Sequence, residues 1–277
     1  MFSYEIIDNS VYIRGIEHFS LPHTLDCGQA FRWEENDDGS WQGVAFGKLL
    51  KLKKTEDGTV ILYNTSKEAF ENIWKDYFDL NRDYNEIITA VSGNDILKSA
   101  CQYGKGIRVL NQEPWETLCS FIISQNNNIK RIKGIISRLC ANFGEEKNGY
   151  YTFPTAEKIA KLTLEDLAVL RSGFRAKYIL DAAIKVSNSE VDLNALKNMS
   201  VDQAREELMK IKGVGPKVAD CALLFSHKHI EAFPKDVWIK RAMEKLFGGE
   251  LPKEAVQYAG IIQQYIFFYA RETKLDI

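Results

Sequence analysis

Over the first 80 residues, apolar positions fall in short runs interrupted by polar turn clusters. Segments 10–13 (SVYI), 30–33 (AFRW), 40–46 (SWQGVAF) and 59–62 (TVIL) are rich in β-branched or aromatic residues. The clusters 34–40 (EENDDGS) and 56–58 (EDG) lie between them, so these runs predict strands. Lys48–Lys54 (KLLKLKK) fits a strand or one helical turn. From about Tyr84 the period changes. Ile87, Ile88 and Val91, and later Trp115, Leu118, Cys119 and Ile122, recur at helical spacing. Thr155 and Thr163 each precede such a run as a candidate N-cap, and Ser200 does so with Gln203 in the capping-box position. The pattern predicts an α+β protein: an antiparallel β domain over residues 1–82, then an all-helical body over 83–277. No long linker, low-complexity tract or 20–50-residue repeat interrupts it.

Composition narrows the function classes. The chain has 277 residues, 45% hydrophobic and 27% charged, enough for two cores. Its net charge of −2 supplies no global basic field, so any nucleic-acid binding needs a local patch. One candidate lies in 102–140, where Lys105, Arg108, Lys130, Arg131, Lys133 and Arg138 face only Glu113 and Glu116. The bland alternative for most of these is a solvated helix face. No run approaches 18 apolar residues, and the start does not read as a signal peptide. A cytoplasmic monomer is expected, nucleoid-associated in a prokaryote. The five scattered cysteines lack a C-x-x-C pair, and His18, His23, His227 and His229 lack metal-ligand spacing. Neither a metal nor another cofactor is expected.

The most informative stretch is 208–243, LMKIKGVGPKVADCALLFSHKHIEAFPKDVWIKRAM. A helix ends near Ile211, Gly213 and Gly215 permit a hairpin over 208–226, and a second helix opens around Pro216. Helix, G-V-G hairpin, helix exposes amides at a helix N-terminus, which bind an anion such as a DNA phosphate. The same device also occurs where it merely packs, or merely holds DNA. Asp236, nineteen residues after Lys217, follows Pro234 and precedes a helical run. Its bland role is an N-cap, which is compatible with a carboxylate facing a cationic reaction centre.

These residues resemble the helix-hairpin-helix glycosylase superfamily, and most closely its 8-oxoguanine DNA glycosylase branch, which combines a hairpin lysine with the aspartate. The likeness runs from about Leu25 to Phe267. It is carried further by 27–33 (CGQAFRW), 124–131 (SQNNNIKR), 173–176 (GFRA) and Tyr258-Ala-Gly with Gln263 and Phe267. The resemblance implies base-excision repair of duplex DNA containing oxidised guanine. Lys217 would be the amine nucleophile, forming an imine that permits strand cleavage, and Asp236 would stabilise charge on the sugar. Gly28 would offer its carbonyl to the N7 proton that 8-oxoguanine has and guanine lacks. Cys221 and Phe267 would sandwich the flipped base, with Gln263 reading its edge. Asn126 would fill the vacated stack and Phe174 would wedge beside the orphaned cytosine. Arg131 and Arg175 would donate to that cytosine. Gly213 and Gly215 would meet phosphate.

Two departures stand out. Trp238 occupies a position where the family commonly has histidine, and Phe268-Tyr269-Ala270 lacks an acidic residue often found there. The rival readings are an alkylated-base glycosylase of the same superfamily, against which Lys217 counts, and a non-enzymatic DNA-binding hairpin protein, against which Gly28, Gln263 and Phe267 count.

Overall fold

The computed structural model describes residues 2–273. Strands β1 (Ser3–Ile7), β2 (Ser10–Arg14), β3 (Trp33–Glu35), β4 (Trp41–Ala45), β5 (Lys48–Lys54) and β6 (Val60–Tyr63) form one antiparallel sheet in the order β1-β2-β6-β5-β4-β3. Its register sets Leu62 opposite both Val11 and Leu52, and Leu52 opposite Trp41. In β5, buried Leu50 and Leu52 alternate with lysines, the period-2 pattern of a half-buried strand, so the helical-turn option for this segment is closed.

A short helix α1 (Leu21–Leu25) lies between β2 and β3. Behind the sheet, α2 (Lys67–Ala69) and α3 (Lys75–Tyr77) are joined by one π-helical stretch, Phe70–Trp74. Phe70, Trp74 and Phe78 from this region pack with Val11, Leu50 and Leu62 in the sheet's core.

The body comprises α4 (Tyr84–Ala90), α5 (Asp95–Tyr103), α6 (Pro114–Ser124), α7 (Ile129–Phe143), α8 (Ala156–Ile159) and α9 (Arg175–Ser187). It continues with α10 (Val201–Met209), α11 (Pro216–Ser226), α12 (Val237–Phe247) and α13 (Ala259–Glu272). It is not wholly helical, because β7 (Glu146–Lys147) and β8 (Tyr150–Tyr151) pair in a two-stranded ribbon. Thr155 caps α8, and Ser200 with Gln203 completes a capping box on α10. Thr163 exchanges hydrogen bonds with Asp166, but the turn it opens is 3-10 rather than α-helical.

Two elements differ locally from the expectation. Strand β1 is absent from the sequence reading. Residues 30–32 are not strand, because the chain there turns toward the helical body: Phe31 joins that core, as does Cys27. Conversely, Leu110 packs with the sheet. Two buried polar side chains lock this crossing. Gln29 Nε2 donates to the carbonyls of Thr24 and Arg108, while its Oε1 accepts the Leu110 amide. Arg108, 2% exposed, donates to backbone carbonyls of Glu17, His18, Phe78, Asp79 and Arg82, and its guanidinium lies 4.2 Å from the Tyr84 ring centroid. Arg32 pairs with Glu116 at 3.2 Å beside this junction, where burial pushes the Glu116 carboxyl up to about 7. The Gly28 loop is therefore fixed against the body.

Candidate active site

Between α10 and α11 the hairpin demands glycine at only one of its two glycine positions. Gly213 has φ +82, and a Cβ there would lie 2.4 Å from the Tyr178 ring. Gly215 is the N-cap of α11 in ordinary extended backbone, φ −106 and ψ −178, so it is not needed for the turn. A Cβ at Gly215 would meet nothing within 4 Å, and no side chain caps the helix there. The first-turn amides of α11 are left without a side-chain acceptor.

Lys217 projects from that first turn, half-buried, with Nζ 5.3 Å from the Phe121 ring centroid. Phe121 is held by a stacked Phe225, centroids 5.3 Å apart. One turn beyond Lys217, Cys221 is 3% exposed, and burial raises its thiol to about 11, which keeps it a neutral wall at physiological pH. Asp236 caps α12, one carboxylate oxygen accepting the Ile239 amide at 2.7 Å. Capping leaves the second oxygen for other work. From α13, buried Gln263 donates to the Pro234 carbonyl at 3.1 Å and accepts from Gln264 at 2.5 Å. Gly28, φ +96, closes the opposite wall.

Lys217, Asp236, Gly28, Cys221, Gln263 and Phe267 all line a single cavity of about 60 Å³. Segments distant in sequence thus converge on one point. The volume is far below the roughly 300 Å³ of small ligand pockets, so a base can enter only if half-buried side chains such as Phe267 shift. The sequence reading did not pick out Phe121, Phe225 or Gln264 from this wall. The aromatics are indistinguishable from core in sequence, whereas two adjacent glutamines inside the apolar run of α13 were a usable signal.

A second group gathers on the loops after α6 and before α9. Asn126 is exposed at φ +47, and Arg131 is exposed in the first turn of α7. Phe174, 45% exposed, packs edge-on against Tyr178. This group adjoins the cavity, since Ile129 Cδ1 would lie 3.9 Å from a Cβ at Gly28.

Arg175 is drawn inward. It is 3% exposed, and its guanidinium donates to the carbonyls of Gln125, Asn126 and Ser172 rather than reaching outward. The basic patch shrinks in the same way. Arg108 is buried on carbonyls, Arg138 donates to the Leu170 carbonyl, and Lys133 donates to Asp26 and the Trp33 carbonyl. Lys105, Lys130 and Arg131 stay exposed.

At the two departures, Trp238 is 40% exposed beside Asp236, whereas Phe268 is buried against the His23 ring, centroids 4.7 Å apart. His227 and His229 reach the carbonyls of Leu193 and Leu196 with their Nε2 atoms, a tethering role. No helix among the described residues is long and apolar enough to cross a membrane.

Comparison with known proteins agrees with this geometry. A family model described as the N-terminal domain of 8-oxoguanine DNA glycosylase matches residues 11–118. A second, described as HhH-GPD superfamily base excision DNA repair protein, matches residues 119–260. The chain belongs to the HhH-GPD superfamily. Both Lys217 and Asp236 fall within the HhH-GPD match, while Gly28 comes from the N-terminal match. The HhH-GPD fold here superposes on the solved structure of MBOgg1 in complex with a low affinity DNA ligand with a TM-score of 0.93, at 44% identity over 99% of each chain. The 8-oxoguanine glycosylase/lyase of Clostridium acetobutylicum, solved with dsDNA containing cytosine opposite 8-oxoG, gives 0.91 and 39%, again over 99% of each chain. The N-glycosylase/DNA lyase of Saccharomyces cerevisiae is 32% identical over 253 residues, covering 81% of this chain and 67% of the yeast protein.

Proposed function

We propose that this protein flips 8-oxoguanine out of duplex DNA, removes it using Lys217 as nucleophile, and then cuts the strand by β-elimination. The observation that carries the reading is the convergence of an amine, a carboxylate and the walls formed by Gly28, Cys221, Gln263 and Phe267 on one cavity. Base flipping costs a few kcal/mol, and the exposed Asn126 and Phe174 are placed to offset it by filling the gap.

Chemistry then follows from the carboxylate and the amine. As the N-glycosidic bond lengthens, positive charge grows on the deoxyribose, and the Asp236 carboxylate stabilises it. The Lys217 amine bonds to C1′ while the base departs with the bonding pair. Loss of a proton from nitrogen and opening of the sugar ring give an imine between Nζ and C1′. That imine acidifies C2′; loss of its proton expels the 3′ phosphate. Every step uses a side chain of this protein or water.

The walls supply selection. The Gly28 carbonyl accepts the N7 proton of the oxidised base and repels the lone pair of guanine. Cys221 and Phe267 cover the base faces, and Gln263 exchanges its Pro234 contact for the Watson–Crick edge. The bare first-turn amides of α11, approached past Gly213 and Gly215, hold a phosphate. Outside the cavity, Arg131 donates to N3 and O2 of the opposite cytosine. The compartment is that of the DNA, which in a prokaryote is the cytoplasm.

Borohydride reduction during reaction with an 8-oxoguanine duplex tests this. The wild type should become covalently attached to DNA, with the adduct on the peptide holding Lys217. Lys217→Gln should bind the duplex with near wild-type affinity yet release no base and form no adduct. Excision by that variant at near the wild-type rate removes Lys217 from the mechanism.

A further inference from the structure

Helix α13 carries two adjacent carboxamides, Gln263 and Gln264, inside an otherwise apolar and aromatic run, and they are 4% and 6% exposed. Burying such groups is costly unless each finds a partner. Side chains one residue apart on a helix do not ordinarily face each other, yet Nε2 of Gln264 donates to Oε1 of Gln263 at 2.5 Å. Nε2 of Gln263 in turn donates to the Pro234 carbonyl at 3.1 Å. On the far side, the Cys27 thiol, which burial keeps protonated, points at Oε1 of Gln264 at 3.9 Å and at the Thr24 carbonyl at 3.7 Å. A backbone carbonyl can only accept, so Pro234 fixes the sense of the whole chain. Donors run from Cys27 through Gln264 and Gln263 to Pro234, and all four residues line the cavity that holds Lys217 and Asp236.

A carboxamide is a donor at one end and an acceptor at the other, so one that is free to flip suits either order of partners. The Watson–Crick edge of guanine sets a donor, N1–H, beside an acceptor, O6. Adenine sets an acceptor, N1, beside a donor, its N6 amino group. Oxidation at C8 leaves both edges as they were. We infer that Gln264 is a specificity-determining positioning residue: it fixes the flip of the Gln263 carboxamide, so that the pocket accepts the edge of an oxidised guanine and rejects that of an oxidised adenine. The inference rests on the proposed glycosylase function. As the base enters, Nε2 of Gln263 turns from Pro234 to O6, and Oε1, still held by Gln264, accepts N1–H. An adenine edge in the same place sets its N1 lone pair against that oxygen and its amino group against Nε2, like against like. Gln264 itself touches neither base nor sugar and acts through Gln263.

The test is Gln264→Met, which keeps the bulk and removes the donor, in single-turnover excision of 8-oxoguanine and 8-oxoadenine, each opposite cytosine. The wild type should favour 8-oxoguanine. Gln264→Met should narrow that preference about fivefold to tenfold, the worth of one net hydrogen bond. In a Gln263→Met background the same change should leave the ratio where Gln263→Met alone sets it, because both act through one carboxamide. A loss shared equally by the two lesions would make Gln264 a packing residue and overturn the inference. So would an independent effect in the Gln263→Met background, or equal excision of the two lesions by the wild type. Binding gives a readout that needs no excision. Lys217→Gln, with and without Gln264→Met, is titrated against the two lesion duplexes, and the ratio of dissociation constants should narrow in the same way. An unchanged ratio contradicts the inference even if Lys217 proves not to be the nucleophile. An absence of 8-oxoguanine excision by the wild type would instead contradict the glycosylase reading. Melting curves show whether each variant is folded at the assay temperature. Gln264→Leu, equally without a donor, should reproduce the narrowed ratio and replaces Gln264→Met if that variant folds poorly.

Discussion

On the proposed function, the lesion pocket and the opposite-base loop solve opposite problems with the same kinds of residue. In the pocket, Lys217 and Asp236 line a cavity walled by buried Cys221, Gln263 and Gln264, with Gln264 donating to Gln263 and Gln263 to the Pro234 carbonyl. The burial of those walls lowers the local dielectric, and that strengthens every charge that acts beside them. The loop reverses this arrangement. Asn126, Arg131 and Phe174 stand in solvent, while the buried cation, Arg175, works on backbone carbonyls. On the proposed function, chemistry is served beside buried walls, and inspection of the duplex by groups left outside. An arginine counted by charge alone could belong to either plan.

The largest break in this comparison should come from Asp236→Asn. Asparagine still caps α12 through the Ile239 amide, so stability should change by less than about 1 kcal/mol. Excision should fall on the order of a hundredfold or more, because the lost charge faces a cationic transition state. Single-turnover rates beside a thermal melt check both halves. Wild-type rates would reduce Asp236 to a cap.

A smaller effect locates the rim that joins the two regions. Of the five tryptophans, Trp33, Trp41, Trp74 and Trp115 are at most 7% exposed, whereas Trp238 is 40% exposed beside Asp236. Duplex binding should therefore shift or quench intrinsic fluorescence through Trp238, and Trp238→Phe should abolish the change at a cost of a few-fold in affinity. Persistence of the signal in that variant would put the DNA on another face.

Part of the pocket was legible in sequence because some of its residues sit in local patterns with a physical meaning. Gly213 is demanded by a left-handed turn, and Asp236 heads a helix. Lys217 and Cys221 share a face by helical spacing. The resemblance to the glycosylase superfamily added Gly28, Gln263 and Phe267, which no local pattern connects. What stayed hidden depends on which carbonyls lie nearby in space. Nothing in GFRA tells that Arg175 faces the end of α6, and nothing near Arg108 tells that it is enclosed by the carbonyls of Glu17 through Arg82. The fold erred for a related reason. The apolar run 30–33 has strand composition, yet Phe31 is claimed by the helical core, so tertiary packing overrides the local preference.

The division of labour is tested most directly by one matrix of single-turnover excision rates: the wild type, Asp236→Asn and Arg131→Ala, each on lesion duplexes with cytosine, adenine, guanine or thymine opposite. The wild type should prefer cytosine, whose acceptor edge suits the Arg131 donors, by about tenfold over adenine, within the 1–3 kcal/mol of a good bidentate contact. Asp236→Asn should scale all four rates down together and leave that ratio intact. Arg131→Ala should collapse the ratio while its rate on adenine stays near the wild-type value. Equal losses on all four duplexes from Arg131→Ala, or a ratio altered by Asp236→Asn, would contradict the separation of chemistry from inspection.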